Sequence, residues 1–242
     1  MNPVPQHRTL LGVDVIGSAQ LPPHLLAAVP TTVSELLHAA LSAAGIDRSD
    51  VLAVESPGDG ALLVLPSELL GAAVDAAAHL DQLTTEHNRW RKPEVRLRAA
   101  VHTGPVGADG GFYQARITHT RLLDAREFKA LLTRCREEGG EETANTGLIV
   151  SAEALDTAFS GNHTRLARRA EFGPLPVANK EYRHTAWVRV PGFDPRALTA
   201  LTTTPAPPES AARVVNTVHG TNHGVQAGDI HGGVTLYAGH RP

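Results

Sequence analysis

The order of the apolar segments in the first hundred residues constrains the fold most. A short run rich in Leu and β-branched residues, 8–16, predicts a buried strand. Residues 31–44 place apolar side chains at i, i+3, i+4 and i+7 and end before a glycine, which predicts an amphipathic helix. Two β-type runs, 51–55 and 61–65, flank the polar turn Ser-Pro-Gly-Asp-Gly and predict a hairpin.

A second helix and a further strand complete this unit. Residues 67–88 are rich in Ala and Leu at helical spacing, and 95–102 is another β-type run. The resulting order, βαββαβ, predicts an α+β fold with a ferredoxin-like sheet and helices on one face. Four more elements are predicted after this unit: a helix over 118–138, a strand over 147–150, a short helix from Ser151 and a last strand over 185–190.

Composition excludes several classes of protein. The 242 residues carry 22 Lys and Arg against 25 Asp and Glu, a formal net charge of −3, so general nucleic-acid binding is not expected. The single cysteine excludes a disulfide framework and a Cys-rich zinc site, which predicts a reducing, cytoplasmic location. The first residues lack an apolar signal core and no stretch approaches about 20 uninterrupted apolar residues, so neither secretion nor a membrane span is expected.

A change of composition at Pro191 predicts the end of the folded domain. Prolines and a Thr-rich stretch follow, a composition with little apolar surface to pack. We therefore predict a folded domain over 1–192, a linker over 193–213 and a flexible Gly/His-rich tail over 214–242.

Two aspartates, Asp14 and Asp59, are the candidate metal ligands. Asp14 interrupts an apolar strand, where burying a carboxylate is costly, and Asp59 lies at the tip of a hairpin that the predicted order places beside that strand. Two carboxylates at strand ends suit Mg²⁺ or Mn²⁺ with a nucleoside triphosphate, because hard cations bind charged oxygens and share substrate phosphates. The backbone of Gly17 and Ser18 can approach those phosphates. A hydrogen-bonded strand aspartate and an ordinary Gly-Asp-Gly turn are the alternatives.

Four segments in this order resemble the catalytic domain of class III nucleotidyl cyclases, the adenylate and guanylate cyclases. These segments are 10–18, 54–59, 98–106 and 121–125. The similarity covers about residues 8–190, and the closing segment, 186–192, is similar to that of actinobacterial cyclase-like proteins. The resemblance implies conversion of a nucleoside triphosphate to a cyclic nucleotide and pyrophosphate, by a head-to-tail homodimer with two composite sites.

The resemblance also implies roles for individual residues. Asp14 and Asp59 would hold two metal ions, Arg121 would stabilise charge on the α-phosphate, and Lys180 would contact the triphosphate. Glu55 falls at a base-selecting position, where glutamate favours guanine. Without the resemblance, Arg121, Lys180 and Glu55 would be read as solvated surface charges.

One departure from the family pattern concerns the ribose. The family has an asparagine four residues before the arginine, and this chain has Ile117 there, which cannot make the hydrogen bond. Either Thr118 or His119 substitutes, or activity is impaired, or the domain only binds nucleotide. Two hypotheses therefore stay open: an active cyclase, and a catalytically inactive nucleotide-binding or adaptor module whose tail mediates assembly.

The tail carries a second resemblance. Residues 214–236 alternate β-branched residues with Gly, Asn, Gln and His, without proline and with little charge, as is typical of a cross-β segment. Residues 225–228, Val-Gln-Ala-Gly, are similar to the core of receptor-interacting-protein homotypic interaction motifs, and the longer pattern resembles bacterial amyloid signalling motifs. This implies partners with a matching motif, in bacterial signalling or anti-phage defence. A disordered Gly-rich end and a metal site of the tail histidines are the alternatives.

Overall fold

The structure is a computed structural model that describes residues 4–56, 58–107, 113–140 and 143–203. Within them lies a seven-stranded sheet with the strand order β2-β3-β1-β4-β5-β7-β6. The strands are β1 (Gln6–Val15), β2 (Ala53–Glu55), β3 (Ala61–Pro66), β4 (Leu97–Val106), β5 (Thr146–Val150), β6 (Gly173–Asn179) and β7 (Tyr182–Arg189). The helices are α1 (Pro23–Leu26), α2 (Val29–Ala43), α3 (Leu70–Trp90), α4 (Gln114–Leu123), α5 (Arg126–Gly139), α6 (Ala152–Phe159) and α7 (Pro195–Thr203).

The strand predicted over 8–16 is the centre of the βαββαβ unit. β1 pairs antiparallel with β3 on one side and with β4 on the other. Because side chains alternate along a strand, Leu11 and Val13 face one side of the sheet, and Gly12 and Asp14 face the other. The predicted buried strand with one carboxylate is therefore present, and its carboxylate shares a sheet face with a glycine.

Helices cover both faces of the sheet. Side chains of α2, α3 and α6 pack with those of alternate strand residues, such as Ala99 and Val101, into one core. Side chains of α4, α5 and α7 pack with Ala100 and Ile149 into a second core on the opposite face. The α+β fold and its βαββαβ order are confirmed: α2 and α3, the helices of this unit, lie on one face, and the later helices α4, α5 and α7 cover the other.

The helix predicted over 118–138 is two helices, α4 and α5. They are separated at Asp124 and Ala125, where the backbone of Ala125 is extended, with ψ 126°. The change of direction lets Leu122 of α4 and Phe128 of α5 enter the same core, both fully buried. The prediction of one helix was wrong because the apolar spacing continues through the break.

Two elements near residue 190 were not predicted. β6 contains Pro174 and Pro176, which argue against a strand, but both are exposed on the edge strand of the sheet, where a missing N–H costs little. α7 lies in the segment predicted to be a linker. The Asp194 side chain accepts a hydrogen bond of 2.7 Å from the Arg196 N–H before its first turn, and Leu198 is 1% exposed in the second core. The folded domain therefore continues to Thr203, and the rest of the predicted linker and the tail lie outside the described residues.

One helical stretch, Pro23–Ala43, is long and apolar enough to cross a membrane by length and composition alone. Its second part, α2, buries Val33, Leu37 and Leu41 in the first core. About a third of the most apolar window of the stretch, 33%, is buried inside the structure.

Candidate active site

The register of the sheet brings the tip of the β2–β3 hairpin to Asp14. Val13 pairs with Ala61, so Asp59 and Gly60, the two residues before β3, lie beside the end of β1. A Cβ atom on Gly60 would lie 2.7 Å from the carbonyl oxygen of Val13 and 3.5 Å from Asp14 Oδ1. Only glycine permits so close an approach. The structure thus places the two candidate metal ligands, Asp14 and Asp59, at one end of the sheet.

A buried arginine pairs with Asp14. Arg98 is its register partner on β4, and Arg98 Nη2 donates a hydrogen bond to Asp14 Oδ2. The Arg98 side chain is 10% exposed and that of Asp14 27% exposed. Arg98 Nη1 also donates to the carbonyl oxygen of Leu123 at 3.4 Å. The guanidinium offsets the cost of placing a carboxylate in this strand.

The oxygen donors fit a hard divalent cation that is completed by substrate. A Cβ on Gly60 would lie 3.5 Å from Asp14 Oδ1, and Asp59 is the residue before that glycine, so the two carboxylates belong to neighbouring backbone segments. In the described ranges, no group of three or more His, Cys, Asp or Glu side chains could hold a metal ion. Mg²⁺ commonly binds one or two carboxylates and takes its other ligands from water and substrate phosphates. Asp14 and Asp59 therefore fit a metal that arrives with a triphosphate.

Gly17 and Ser18 form the turn that follows β1. Gly17 has φ 72° and ψ 23°, a left-handed conformation that favours glycine, and Ser18 opens a single 3₁₀ turn. The turn lies three residues after Asp14 and so at the same end of the sheet. A phosphate contact of this backbone stays a prediction.

Arg121 and Lys180 come together at the turn between β6 and β7. Arg121 Nε donates to Glu181 Oε1 at 3.2 Å, and the Asn179 side chain donates to the Arg121 carbonyl at 2.9 Å. Lys180 is exposed in this turn with φ 54°. Glu181 was not singled out from the sequence, where an acid after Lys180 carries no signal of contact with a helix sixty residues earlier.

Arg121 and Asp59 line different cavities. Arg121 and Ile117 line a cavity of about 640 Å³. Polar residues that also line this cavity include His7, His102, Gln114, Thr118, Tyr182 and His184. Asp59 lines a separate cavity of about 520 Å³ between the hairpin and α2. The two halves of the predicted site therefore do not share a cavity within one chain.

The His119 side chain is buried against the sheet. It is 2% exposed, and its Nε2 lies 3.1 Å from the Ala100 carbonyl oxygen. A methyl group on Gly12 would overlap its ring. Burial lowers the pKa of His119 to about 4, so the ring is neutral at pH 7. Of the two suggested substitutes for the family's asparagine, only Thr118 lines the cavity of Arg121.

Glu55, for which the resemblance implies a base-selecting role, pairs with Arg116 of α4. The Glu55 side chain is 51% exposed, whereas that of Arg116 is 12% exposed. Arg116 Nε has no hydrogen-bond partner among the described residues. Arg116 could not be singled out from the sequence, because its contact with Glu55 joins residues 61 positions apart.

Solved structures share this fold. No protein-family model matches the sequence, and comparison with curated proteins gives no significant match. An adenylate/guanylate cyclase/hydrolase from Silicibacter pomeroyi is 20% identical with a TM-score of 0.53, covering 78% of this chain and 98% of that one. A bacterial light-regulated adenylyl cyclase is 15% identical with a TM-score of 0.53, covering 82% of this chain. This chain spans only 57% of that cyclase.

A third solved structure contains a nucleotide analogue. It is the catalytic core of a rhodopsin-guanylyl cyclase with converted specificity in complex with ATPαS, 16% identical with a TM-score of 0.50, covering 78% of this chain and 97% of that one. The α+β architecture of this chain is thus that of the class III cyclase domains. At these identities the likeness concerns the fold.

Proposed function

We propose that this protein is a metal-dependent nucleotidyl cyclase that converts a nucleoside triphosphate to a cyclic nucleotide and pyrophosphate. The observation that carries the proposal is the approach of the Asp59 hairpin tip to Asp14, which depends on Gly60. The fold shared with adenylyl and guanylyl cyclases supports it. So does the nucleotide analogue in one of the similar structures.

Each side chain would have a separate task in this reaction. Mg²⁺ or Mn²⁺ on Asp14 and Asp59 would acidify the ribose 3′-hydroxyl and neutralise the triphosphate. The 3′-oxygen attacks the α-phosphorus, the bond to pyrophosphate breaks, and the hydroxyl proton leaves to solvent. Arg121 would stabilise the charge that develops on the α-phosphate, and Lys180 would contact the departing phosphates.

The remaining predicted contacts concern the substrate's position. The turn at Gly17 and Ser18 would approach the phosphates through backbone N–H groups. Glu55 would bind the base, which favours guanine. Arg116, as its ion-pair partner, would fix the orientation of this carboxylate.

The proposal includes a head-to-tail homodimer. Asp59 and Arg121 line different cavities of one chain, so a complete site needs the aspartates of one protomer and Arg121 of the partner subunit. A two-fold arrangement gives two such sites. A monomer would then be inactive.

A second candidate function is a catalytically inactive nucleotide-binding or adaptor module. Ile117 favours it, because an apolar side chain lines the cavity where the family has a ribose-positioning asparagine. His119, buried and bonded to Ala100, does not replace it. Such a module would bind a nucleoside triphosphate without converting it to a cyclic nucleotide.

The predicted tail, 214–242, would recruit partners with a matching amyloid motif in cytoplasmic bacterial signalling or anti-phage defence. Assembly through the tail would raise the local concentration of the attached domains and so favour the dimer. This part of the proposal rests on the sequence alone, since the tail lies outside the described residues.

The test is product formation by the purified full chain. It is incubated with Mn²⁺ and each of the four nucleoside triphosphates, and cyclic nucleotide is measured by chromatography with mass detection. Asp59→Ala should remove the product, whereas Asp124→Ala, which removes an exposed acid paired with Lys129, should keep it. If no triphosphate gives a cyclic product, the inactive module is the better description.

A further inference from the structure

The two oxygens of the Asp14 carboxylate have different surroundings. Oδ2 accepts a hydrogen bond from Arg98, and Oδ1 faces Gly60 and the hairpin tip that carries Asp59. A metal ion held between Asp14 and Asp59 would therefore bind Oδ1. The guanidinium stays on the other oxygen of the same carboxylate.

Arg98 has little freedom to leave. Its side chain is 10% exposed, its residue lies in the central strand β4, and a second contact reaches the carbonyl oxygen of Leu123. Its guanidinium is the cation that is hydrogen-bonded to Asp14 Oδ2. A divalent cation on Oδ1 would thus meet a fixed positive charge a few ångströms away, and partial burial weakens the screening of that repulsion by solvent.

We propose that Arg98 is a positioning residue that turns Asp14 Oδ1 toward the hairpin and keeps the metal affinity of the nucleotide-free site low. Without nucleotide, Arg98 is the cation that satisfies Asp14. A triphosphate brings several negative charges to the site and outweighs the repulsion, so metal and nucleotide bind together. This inference rests on the proposed role of Asp14 as a metal ligand.

The test measures Mn²⁺ binding to the nucleotide-free full chain by electron paramagnetic resonance, without turnover. Arg98→Gln removes the repulsion and leaves the Asp14 carboxylate uncompensated, so it should tighten Mn²⁺ binding about tenfold or more. Arg98→Lys keeps the charge and should stay within about threefold of wild type. Arg189→Gln is the matched control, because it removes another poorly exposed arginine from an ion pair, with Glu171, and should leave the affinity unchanged.

Asp14→Asn separates failure of this inference from failure of the proposed function. If Asp14→Asn leaves Mn²⁺ binding unchanged, Asp14 is not a metal ligand, and both proposals fall. If Asp14→Asn abolishes binding while Arg98→Gln leaves it unchanged or weakens it, only the role of Arg98 is wrong.

A measurement on wild type covers the case in which Arg98→Gln does not fold. A non-reacting triphosphate analogue should tighten Mn²⁺ binding at the Asp14 site by more than about tenfold beyond the binding by the analogue alone. Nucleotide-free wild type that already binds Mn²⁺ as tightly as it does with the analogue would overturn the inference.

Discussion

The two faces of the sheet differ in what their side chains do. The face covered by α2 and α3, here called the apolar face, is built from residues such as Leu11, Val13 and Leu97, all fully buried. The face covered by α4, here called the polar face, carries Asp14 and Arg98 on neighbouring strands. Because alternate residues of the same strands serve both faces, one set of strands can supply stability on one side and reactive groups on the other.

The largest expected effect is on activity and concerns the polar face. If the proposed function is right, Arg121→Ala should lower the cyclase rate by about 10²–10³-fold, because it would remove the charged donor proposed for the α-phosphate. The unfolding free energy should change little, since an ion pair with the exposed Glu181 is weak. Steady-state kinetics and urea denaturation measure the two. If Arg121→Ala strongly lowers the unfolding free energy as well as the rate, Arg121 has a structural role.

The converse is expected on the apolar face. Leu97→Ala removes a fully buried side chain and should lower the unfolding free energy by about 2–5 kcal/mol. At a temperature where the variant is folded, its rate should stay within a few-fold of wild type, because Leu97 lines neither the cavity of Asp59 nor that of Arg121. Urea denaturation and kinetics on the same samples test this. A rate loss comparable with that of Arg121→Ala would abolish the distinction between the faces.

Lowering the pH should destabilise the folded protein through two buried histidines of the polar face. Burial lowers the pKa of both His102 and His119 from 6.5 to about 4. Between these values the unfolded chain takes up protons that the folded chain does not, so stability falls as the pH drops from about 6.5 to 4, by on the order of 2–3 kcal/mol per histidine.

Asp81 acts in the opposite direction. Burial raises the pKa of Asp81 from 3.8 to about 6, although its hydrogen bond with the Thr146 N–H acts to lower it. Between these values the folded protein takes up a proton that the unfolded chain does not. Protonation of Asp81 therefore stabilises the folded protein as the pH falls through this range. The unfolding temperature of the wild type should decrease from pH 7.5 to 5.5 to 4.5. In Asp81→Asn it should decrease more steeply, because the opposing contribution of Asp81 is removed. A flat profile in that variant would contradict the assignment to the histidines.

The smallest effect is expected where α4 touches the sheet. Gly12→Ala places a methyl group into the His119 ring and should cost about 1–3 kcal/mol. His119→Ala removes the obstacle, so the double variant should lose less stability than the two single changes added together. Thermal unfolding of the four proteins gives the coupling energy. Strict additivity would mean that the helix shifts freely over Gly12.

Local patterns predicted the parts of the site that are local in sequence. Asp14 could be singled out because it interrupts a short apolar segment, and Asp59 because it lies in the polar turn between two β-type runs. The ion pair of Asp14 with Arg98 joins residues 84 positions apart and depends on strand register, which the pattern does not give. The role of His119 was missed for the same reason, since it depends on Gly12 of a distant strand.

The two edge strands of the sheet, β2 and β6, affect whether the domain can pair with strands of other chains. β2 has only three residues, and β6 carries two exposed prolines, Pro174 and Pro176. Short edges and prolines both discourage the addition of a foreign strand. Where many copies of the domain are brought close together, these edges would therefore resist pairing with strands of other chains.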